Sequence, residues 1–427
     1  MKIAIIGTGI AGNVAAYQLA AEHDITVFEA NEHIGGHTHT HQLESSQGEE
    51  LAVDTGFIVF NDWTYPNFIA LLDELGVESQ PTEMSFSVKC ERSGLEYNGN
   101  TLNSLFAQRS NLLRPAFHRM IRDILRFNRE GHEFVKQPAS IQISLGDFLE
   151  QGRYSQQFIH HYIVPMGAAI WSAEPEVMFQ FPAHFFLRFF ANHGLLSVNN
   201  RPQWRVIKGG SNSYIKPLTA GFARRIRTGC PVQAVLRYAD HVEIRTEQYG
   251  LERFDYVFIA THSDQALAML EQPTLAERNV LNTIPYQDNE VVLHTDTSVL
   301  PKRKLAWASW NYHIPQQAQD RVAVTYDMNI LQGLNTPETY CVTLNYSGQL
   351  DERRIIKRLN YKHPVFTPQG VSAQSQQRDI NGERRTYFCG AYWRNGFHED
   401  GVVSARNAVA HFKEDLKHAQ QPLRRAG

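Results

Sequence analysis

The four cysteines, Cys90, Cys230, Cys341 and Cys389, are scattered so widely that no pair has the spacing of a metal ligand set or a redox couple. That scarcity excludes a disulfide-built scaffold and predicts free, packed thiols in a reducing compartment. Long apolar runs are missing too. None approaches the roughly 20 residues a helix needs to cross a bilayer. The N-terminal apolar run, residues 3–6, passes straight into glycines rather than into a leader-like segment, so the expectation is a soluble, cytoplasmic protein. Charge of one sign is also lacking. With 41 Lys+Arg against 44 Asp+Glu the net charge is -3, which leaves no electrostatic footprint for nucleic acid. What the 427 residues do contain is 42% hydrophobic content, enough for two domains or one large composite domain with a substantial core.

The most informative stretch is the first thirty residues. Lys2-Ile3-Ala4-Ile5-Ile6 is short, apolar and β-branched, which reads as a buried strand. Gly7-Thr8-Gly9-Ile10-Ala11-Gly12 follows at once, and Val14, Ala15, Leu19 and Ala20 continue at helical spacing. Ile25-Thr26-Val27-Phe28 is a second strand that ends in Glu29 and Ala30. In this arrangement Gly7 permits the tight turn, Gly9 lets the backbone approach a diphosphate, and Gly12 lets helix and strand pack closely. The N–H groups and dipole of the helix start favour the anion. Glu29 stands twenty residues after Gly9, where a carboxylate can accept hydrogen bonds from both ribose hydroxyls and repel a 2′-phosphate. The pattern predicts dinucleotide binding, with NADP excluded from this site.

Gly35-Gly36 lies just past the acid, followed by His37, Thr38, His39, Thr40 and His41. The glycine pair lets the chain pass close to a bound cofactor. On an extended segment the three histidines share a face. They either line a cofactor cleft or lie exposed; as metal ligands they lack an obvious fourth partner, and no metal is expected.

Taken together, Gly7 to Gly12, Glu29 and Gly35-Gly36 resemble the flavoprotein superfamily of monoamine oxidases, protoporphyrinogen oxidases and phytoene-type desaturases. The resemblance implies FAD, bound in extended form. That family usually has arginine after the glycine pair; this chain has His37. Asp54-Thr55-Gly56-Phe57 resembles the segment that returns the chain beside the flavin, and Gly209-Gly210 with Ile215 resembles the point of re-entry into the cofactor domain. Val232 matches the position that touches adenine, and Ala260-Thr261 the small residues beside the cofactor. Near the C-terminus, Gly390 ends a strand and a helix begins near Gly401, with Glu399, Asp400 and Val402 around its start. This resembles the family's last flavin motif, in which a helix N-terminus stabilises negative charge on the flavin pyrimidine. Where the family has an acid after the strand-ending glycine, this chain has Ala391. Tyr392, Trp393 and His398 lie in that loop and are candidate site-shaping or proton-moving side chains, or simply packing.

The remaining chain reads as a second, mixed domain. Residues 66–76 have helical spacing, residues 84–88 alternate like a strand, and residues 95–105 are turn-rich. Residues 114–130 form an amphipathic helix with Phe117, Met120, Ile121, Ile124 and Leu125 on one face and Arg119, Arg122, Arg126 and Arg129 on the other. Such a helix is either a solvated face over a core stripe or a contact for an anionic membrane surface. Residues 179–190 are strongly aromatic, as core or as a pocket wall. Residues 291–295, 306–312, 322–326 and 341–345 read as antiparallel strands, with Trp307, Trp310 and Tyr312 available to a pocket.

The expected architecture is α/β. A Rossmann-like FAD-binding domain is built from residues 1–60, 205–285 and 376–427, and an α+β substrate domain from residues 61–204 and 286–375 is inserted in it. The expected chemistry is hydride transfer from a C–H bond to the flavin. The chain also resembles bacterial flavoproteins associated with cyclopropane and other modified fatty-acid synthesis, which implies a lipid acyl substrate. An amine is the alternative, as is a flavin-binding partner subunit without its own activity.

Overall fold

The computed structural model describes residues 1–138, 143–171, 174–317, 323–346 and 348–420. Val322 of an expected strand and residues 421–427 of the expected third cofactor segment lie outside the described residues.

The opening strand, Lys2–Ile6, is the centre of a parallel sheet. Ile3 and Ile5 pack into one apolar cluster, Ala4 and Ile6 into another, so both faces are covered. That is why the strand reads as an unbroken apolar run instead of an alternating one. Asp24–Phe28 and then Ile226–Arg227 pair on one side of it, Tyr256–Ile259 and then Thr386–Phe388 on the other, all parallel. Helices Ile10–Leu19 and His398–Gln420 cover one face. Small residues let them approach closely: a Cβ on Gly401 would lie 2.6 Å from Ile10 Cγ2. Helices Ser263–Met269 and Leu275–Leu281 cover the other face. This is the α/β, doubly covered arrangement that places ligands at the carboxyl ends of the strands.

The second sheet has seven strands in the order Ile355–Pro364, Tyr286–His294, Cys341–Leu344, Ala323–Asp327, Trp310–Ile314, Phe86–Cys90 and Leu95–Asn98. Its pairings are antiparallel except that between Trp310–Ile314 and Phe86–Cys90, which is parallel and joins two distant stretches of chain. The largest apolar cluster lies between this sheet and helices Pro115–Val135 and Ala183–Asn192. Phe117, Met120, Phe127 and Phe134 are buried along one helix face there, each contributing roughly 1.5–3 kcal/mol on burial.

Several expectations need correction. Residues 95–105 are a strand and a short helix, Leu95–Asn98 and Leu102–Leu105, not turns. Leu95, Glu96, Tyr97 and Asn98 are all buried, which removes the alternation a strand search relies on. Leu125 does not belong to the apolar stripe; it is 53% exposed. Arg126 leaves the basic face, lying over the Tyr154 ring at 4.1 Å and pairing with Asp123 at 3.2 Å. Trp307 donates Nε1–H to Pro301 O at 2.8 Å and packs in a small separate cluster, while Tyr312 is buried in the sheet core.

Candidate active site

The phosphate end is shaped by glycines with different constraints. A Cβ on Gly12 would lie 1.9 Å from Gly7 O, and one on Gly7, at φ +101, would lie 2.9 Å from Ala260 O. Gly9 is the opposite case: its φ is -62, ordinary for any residue, and a Cβ there would meet nothing within 4 Å. Open space therefore faces the start of helix Ile10–Leu19, which carries no side-chain cap and no acid in its first turn. Gly36, at φ +60, comes over this opening, since its Cβ would lie 3.0 Å from Gly9 Cα.

Glu29 is buried beside the turn. It accepts hydrogen bonds from Thr8 N at 2.9 Å, Thr8 Oγ1 at 2.5 Å, and Asn31 N and Nδ2 at 2.9 Å each. A carboxylate offers about four lone-pair sites, so the acid pins the glycine turn. A ribose hydroxyl would share the acid by displacing a mobile donor such as the Asn31 amide or the Thr8 hydroxyl. Cys230 N donates to Glu29 O at 2.8 Å and Gly229 N to Asn31 O at 2.9 Å, which sets Val232 two residues from the acid's own strand. Ala30, between them, is exposed.

At the other end Thr38, Thr55, Gly56, Phe57 and His398 converge. Gly56 packs so closely that a Cβ would lie 2.0 Å from His37 O, and Phe57 N donates to that oxygen at 2.7 Å. The His398 ring stacks on Phe57 at 3.5 Å, and its Nε2 lies 3.0 Å from Thr38 Oγ1 and 3.2 Å from Tyr214 OH. Burial holds His398 well below the ordinary imidazole range, so it is neutral.

The last helix starts at His398, earlier than the expected start near Gly401. Two acids lie in its first turn and accept hydrogen bonds from the polypeptide. Glu399 accepts from Phe68 N at 2.8 Å and Asn67 Nδ2 at 2.6 Å, securing the start of helix Pro66–Glu74. Asp400 accepts from Phe397 N at 2.9 Å and Asn395 N at 3.2 Å. Burial pushes its carboxyl up to about 6. Gly401 and Val402 follow, packed toward Ile10 and the helix core. Gly390 N donates to Ser404 Oγ at 3.0 Å. Tyr392 and Trp393 pack in the cluster on the opposite face of the parallel sheet, with Tyr392 OH and Trp393 Nε1 unpartnered, and are not beside His398.

His39 and His41 turn toward polar neighbours: His39 Nδ1 lies 2.9 Å from Tyr361 OH and His41 Nε2 3.0 Å from Thr55 Oγ1. Among the described residues no group of three or more His, Cys, Asp or Glu is placed to hold a metal ion. Two histidines that sequence reasoning did not bring to the site, His262 and His363, gather with His37 and Tyr361 beside Ala260-Thr261. His363 comes from a strand more than three hundred residues from His37, so no local signal marks it.

A pocket of about 1030 Å³, mouth included, opens beside Phe397, the residue before the last helix. Val59, Phe86, Tyr162, Phe189, Trp204 and Trp310 contribute walls. Tyr162 lies in a π-helical turn, Ile159–Ile163, a device common at functional sites. Among the described lining residues, Arg201 is the one with a fixed charge, and none is a carboxylate.

The cradle suits FAD. Open space at Gly9, an uncapped helix start, and two buried nitrogens without partners, His37 Nε2 and His262 Nδ1, match what a diphosphate would occupy.

The profile of the flavin containing amine oxidoreductase family matches residues 10–337. No curated protein sequence matches the chain. Solved structures share the fold. Cyclohexylamine oxidase from Brevibacterium oxydans IH-35A is 16% identical with a TM-score of 0.71, over 97% of this chain and 99% of that one. A candidate protoporphyrinogen oxidase from Exiguobacterium sp. 255-15 is 16% identical with a TM-score of 0.69, over 97% and 99%. The fatty acid isomerase of P. acnes that produces CLA is 14% identical with a TM-score of 0.68, over 96% and 98%. The chain belongs to the flavin-containing amine oxidoreductase family and is an FAD-dependent oxidoreductase.

Proposed function

We propose that this oxidoreductase oxidises or desaturates a fatty-acyl chain. The observation that carries the reading is the chemistry of the pocket: long aromatic and aliphatic walls, an exposed arginine at position 201, and no described carboxylate in the lining. An acyl chain gains from burial against such walls, and its carboxylate would pair with Arg201. A protonated amine would find π faces but no opposing charge, and Arg201 would repel it. The fold also serves a fatty acid isomerase, so it admits this class of ligand. When bound, FAD supplies the hydride acceptor. The chain's part is to exclude water with Phe189 and Phe397 and to orient the substrate. His193 is a candidate proton acceptor: its Nδ1–H goes to Phe189 O at 2.9 Å, which leaves Nε2 unprotonated, and burial lowers the group to about 4.

Anaerobic mixing with long-chain fatty acids should bleach the flavin absorbance, and long-chain alkylamines should not. Arg201→Glu should raise the apparent KM for the fatty acid about tenfold or more, as loss of a pairing worth about 1.4 kcal/mol or more requires. Bleaching by amines alone, with improved binding in the Arg201→Glu protein, would sink the proposal.

The basic helix supports delivery from an anionic membrane surface. Arg119, Arg122 and Arg129 are exposed. So are Leu102 (77%), Leu113 (88%) and Leu125 (53%), apolar groups available to insert among headgroups. Gly99 and Asn100 of the pocket lining lead directly into Leu102. The wild-type protein should sediment with vesicles containing phosphatidylserine and fail to do so with neutral vesicles. Arg119→Glu/Arg122→Glu should lose most of that binding; equal sedimentation of the two proteins removes the idea.

A further inference from the structure

His37 stands where the glycine pair meets the phosphate turn, yet it is one of several imidazoles rather than a fixed cation. Its ring centroid lies 5.8 Å from His262, 5.5 Å from His363 and 5.2 Å from Tyr361. Both His37 and His262 adjoin residues that touch the turn: Gly36 approaches Gly9, and Ala260-Thr261 approaches Gly7. His37 Nε2 and His262 Nδ1 are buried atoms with no hydrogen-bond partner, which costs stability unless a ligand completes them.

The groups that face the cluster are basic or neutral. From its own loop comes His33; from strand Ile355–Pro364 come Tyr361, Lys362 and His363; from the last helix comes His398. Tyr286 stacks on His262, and Asn289 Nδ2 lies 3.2 Å from His363 Nδ1. Asp54 and Asp264 act on Tyr361 and Tyr286 respectively, not on the imidazoles. Burial, with repulsion between neighbouring imidazoles, lowers His37 and takes His262 and His363 to about 3. A diphosphate brings the negative charge this cluster lacks and reverses that balance.

We infer that His37, with His262 and His363, is the counter-charge of the FAD diphosphate, and that the cluster takes up a proton as the cofactor enters. The sign follows from linkage. A proton bound together with the ligand tightens binding as pH falls, by about tenfold per pH unit while uptake is complete. The effect levels off above the value these imidazoles reach in the holoenzyme.

The test is flavin release from diluted holoenzyme, followed by fluorescence from pH 5.5 to 8. The Kd for FAD should fall toward the acid end in wild type. His37→Gln should weaken binding and flatten the profile. His37→Arg should flatten it while keeping binding tight at pH 8. Calorimetry of FAD binding to the released protein in two buffers of different ionisation enthalpy should show uptake of about one proton. A wild-type profile without slope, uptake of no proton, or an undiminished slope in His37→Gln/His262→Gln would each overturn the inference. If the glutamine variants do not fold, the wild-type calorimetry and His37→Arg decide it alone.

Discussion

Gly9→Ala should yield a folded, colourless protein, whereas Gly12→Ala should not accumulate as folded protein at all. The two positions sit three residues apart in one turn and differ in what surrounds them. At Gly9 the backbone is extended and a methyl group would enter open space, so the polypeptide loses nothing. That space is where the diphosphate must come within hydrogen-bonding distance of the helix start, and the methyl group would keep it out. At Gly12 the methyl group would lie 1.9 Å from Gly7 O and 3.2 Å from Ala260 Cβ. Gly7 N is already committed to Phe28 O at 2.8 Å, and Ala260 N to Ile6 O at 2.8 Å, so neither backbone can yield without breaking the central sheet. The penalty should exceed about 4 kcal/mol, the range of the most damaging single substitutions. The checks are visible absorbance of the purified protein and its thermal unfolding midpoint without flavin. A yellow Gly9→Ala protein with full flavin content, or a Gly12→Ala protein as stable as wild type, would contradict the assignment.

Arg237→Ala should be the most destabilising substitution far from the cofactor. The side chains of Arg237 and Glu277 are 2% and 0% exposed. Arg237 Nη1 pairs with Glu277 Oε1, Nη2 reaches Oε2 at 2.9 Å, and Nη2 also donates to Gln272 O at 2.6 Å. The same carboxylate accepts from Thr274 N at 2.7 Å and so caps helix Leu275–Leu281. Truncating the arginine leaves a fully buried carboxylate without its cation, a loss of about 3–5 kcal/mol. The paired change Arg237→Met with Glu277→Leu should cost less than the single truncation, because no charge is then left unpaired. Urea unfolding of the three proteins measures this. A single-variant loss below about 1 kcal/mol would show that water or a neighbour replaces the guanidinium.

Legibility in the sequence follows the reach of each interaction. The glycine turn, the strands around it and Glu29 were readable because their constraints lie within thirty residues. The doubly covered parallel strand was readable because burial on both faces removes polar positions. The hydrogen bonds that Glu29 makes to Thr8 and Asn31 were not readable, since the same acid satisfies a ribose pattern equally well. The hydrogen bonds of Glu399 were not readable for a different reason: its partners Asn67 and Phe68 lie 332 and 331 residues away. Arg126 satisfied the helical period of a basic face, and only the approach of Tyr154 takes it out of that face. The pocket walls Phe86 and Trp310 meet through one parallel strand pairing that no periodicity in either segment announces.

That pairing and the outermost strand of the cofactor sheet govern how the molecule is made. Thr386–Phe388 closes the parallel sheet, and Ile355–Pro364 edges the larger one. The larger sheet cannot be completed until the ribosome has passed residue 364, nor the parallel sheet until it has passed residue 388, more than three hundred residues after the cofactor turn. Until then the nascent chain carries unpaired strand edges and uncovered aromatic residues, the condition under which chaperones engage. Yield during expression should therefore depend on elongation rate and holdase supply more than on the stability of the finished enzyme.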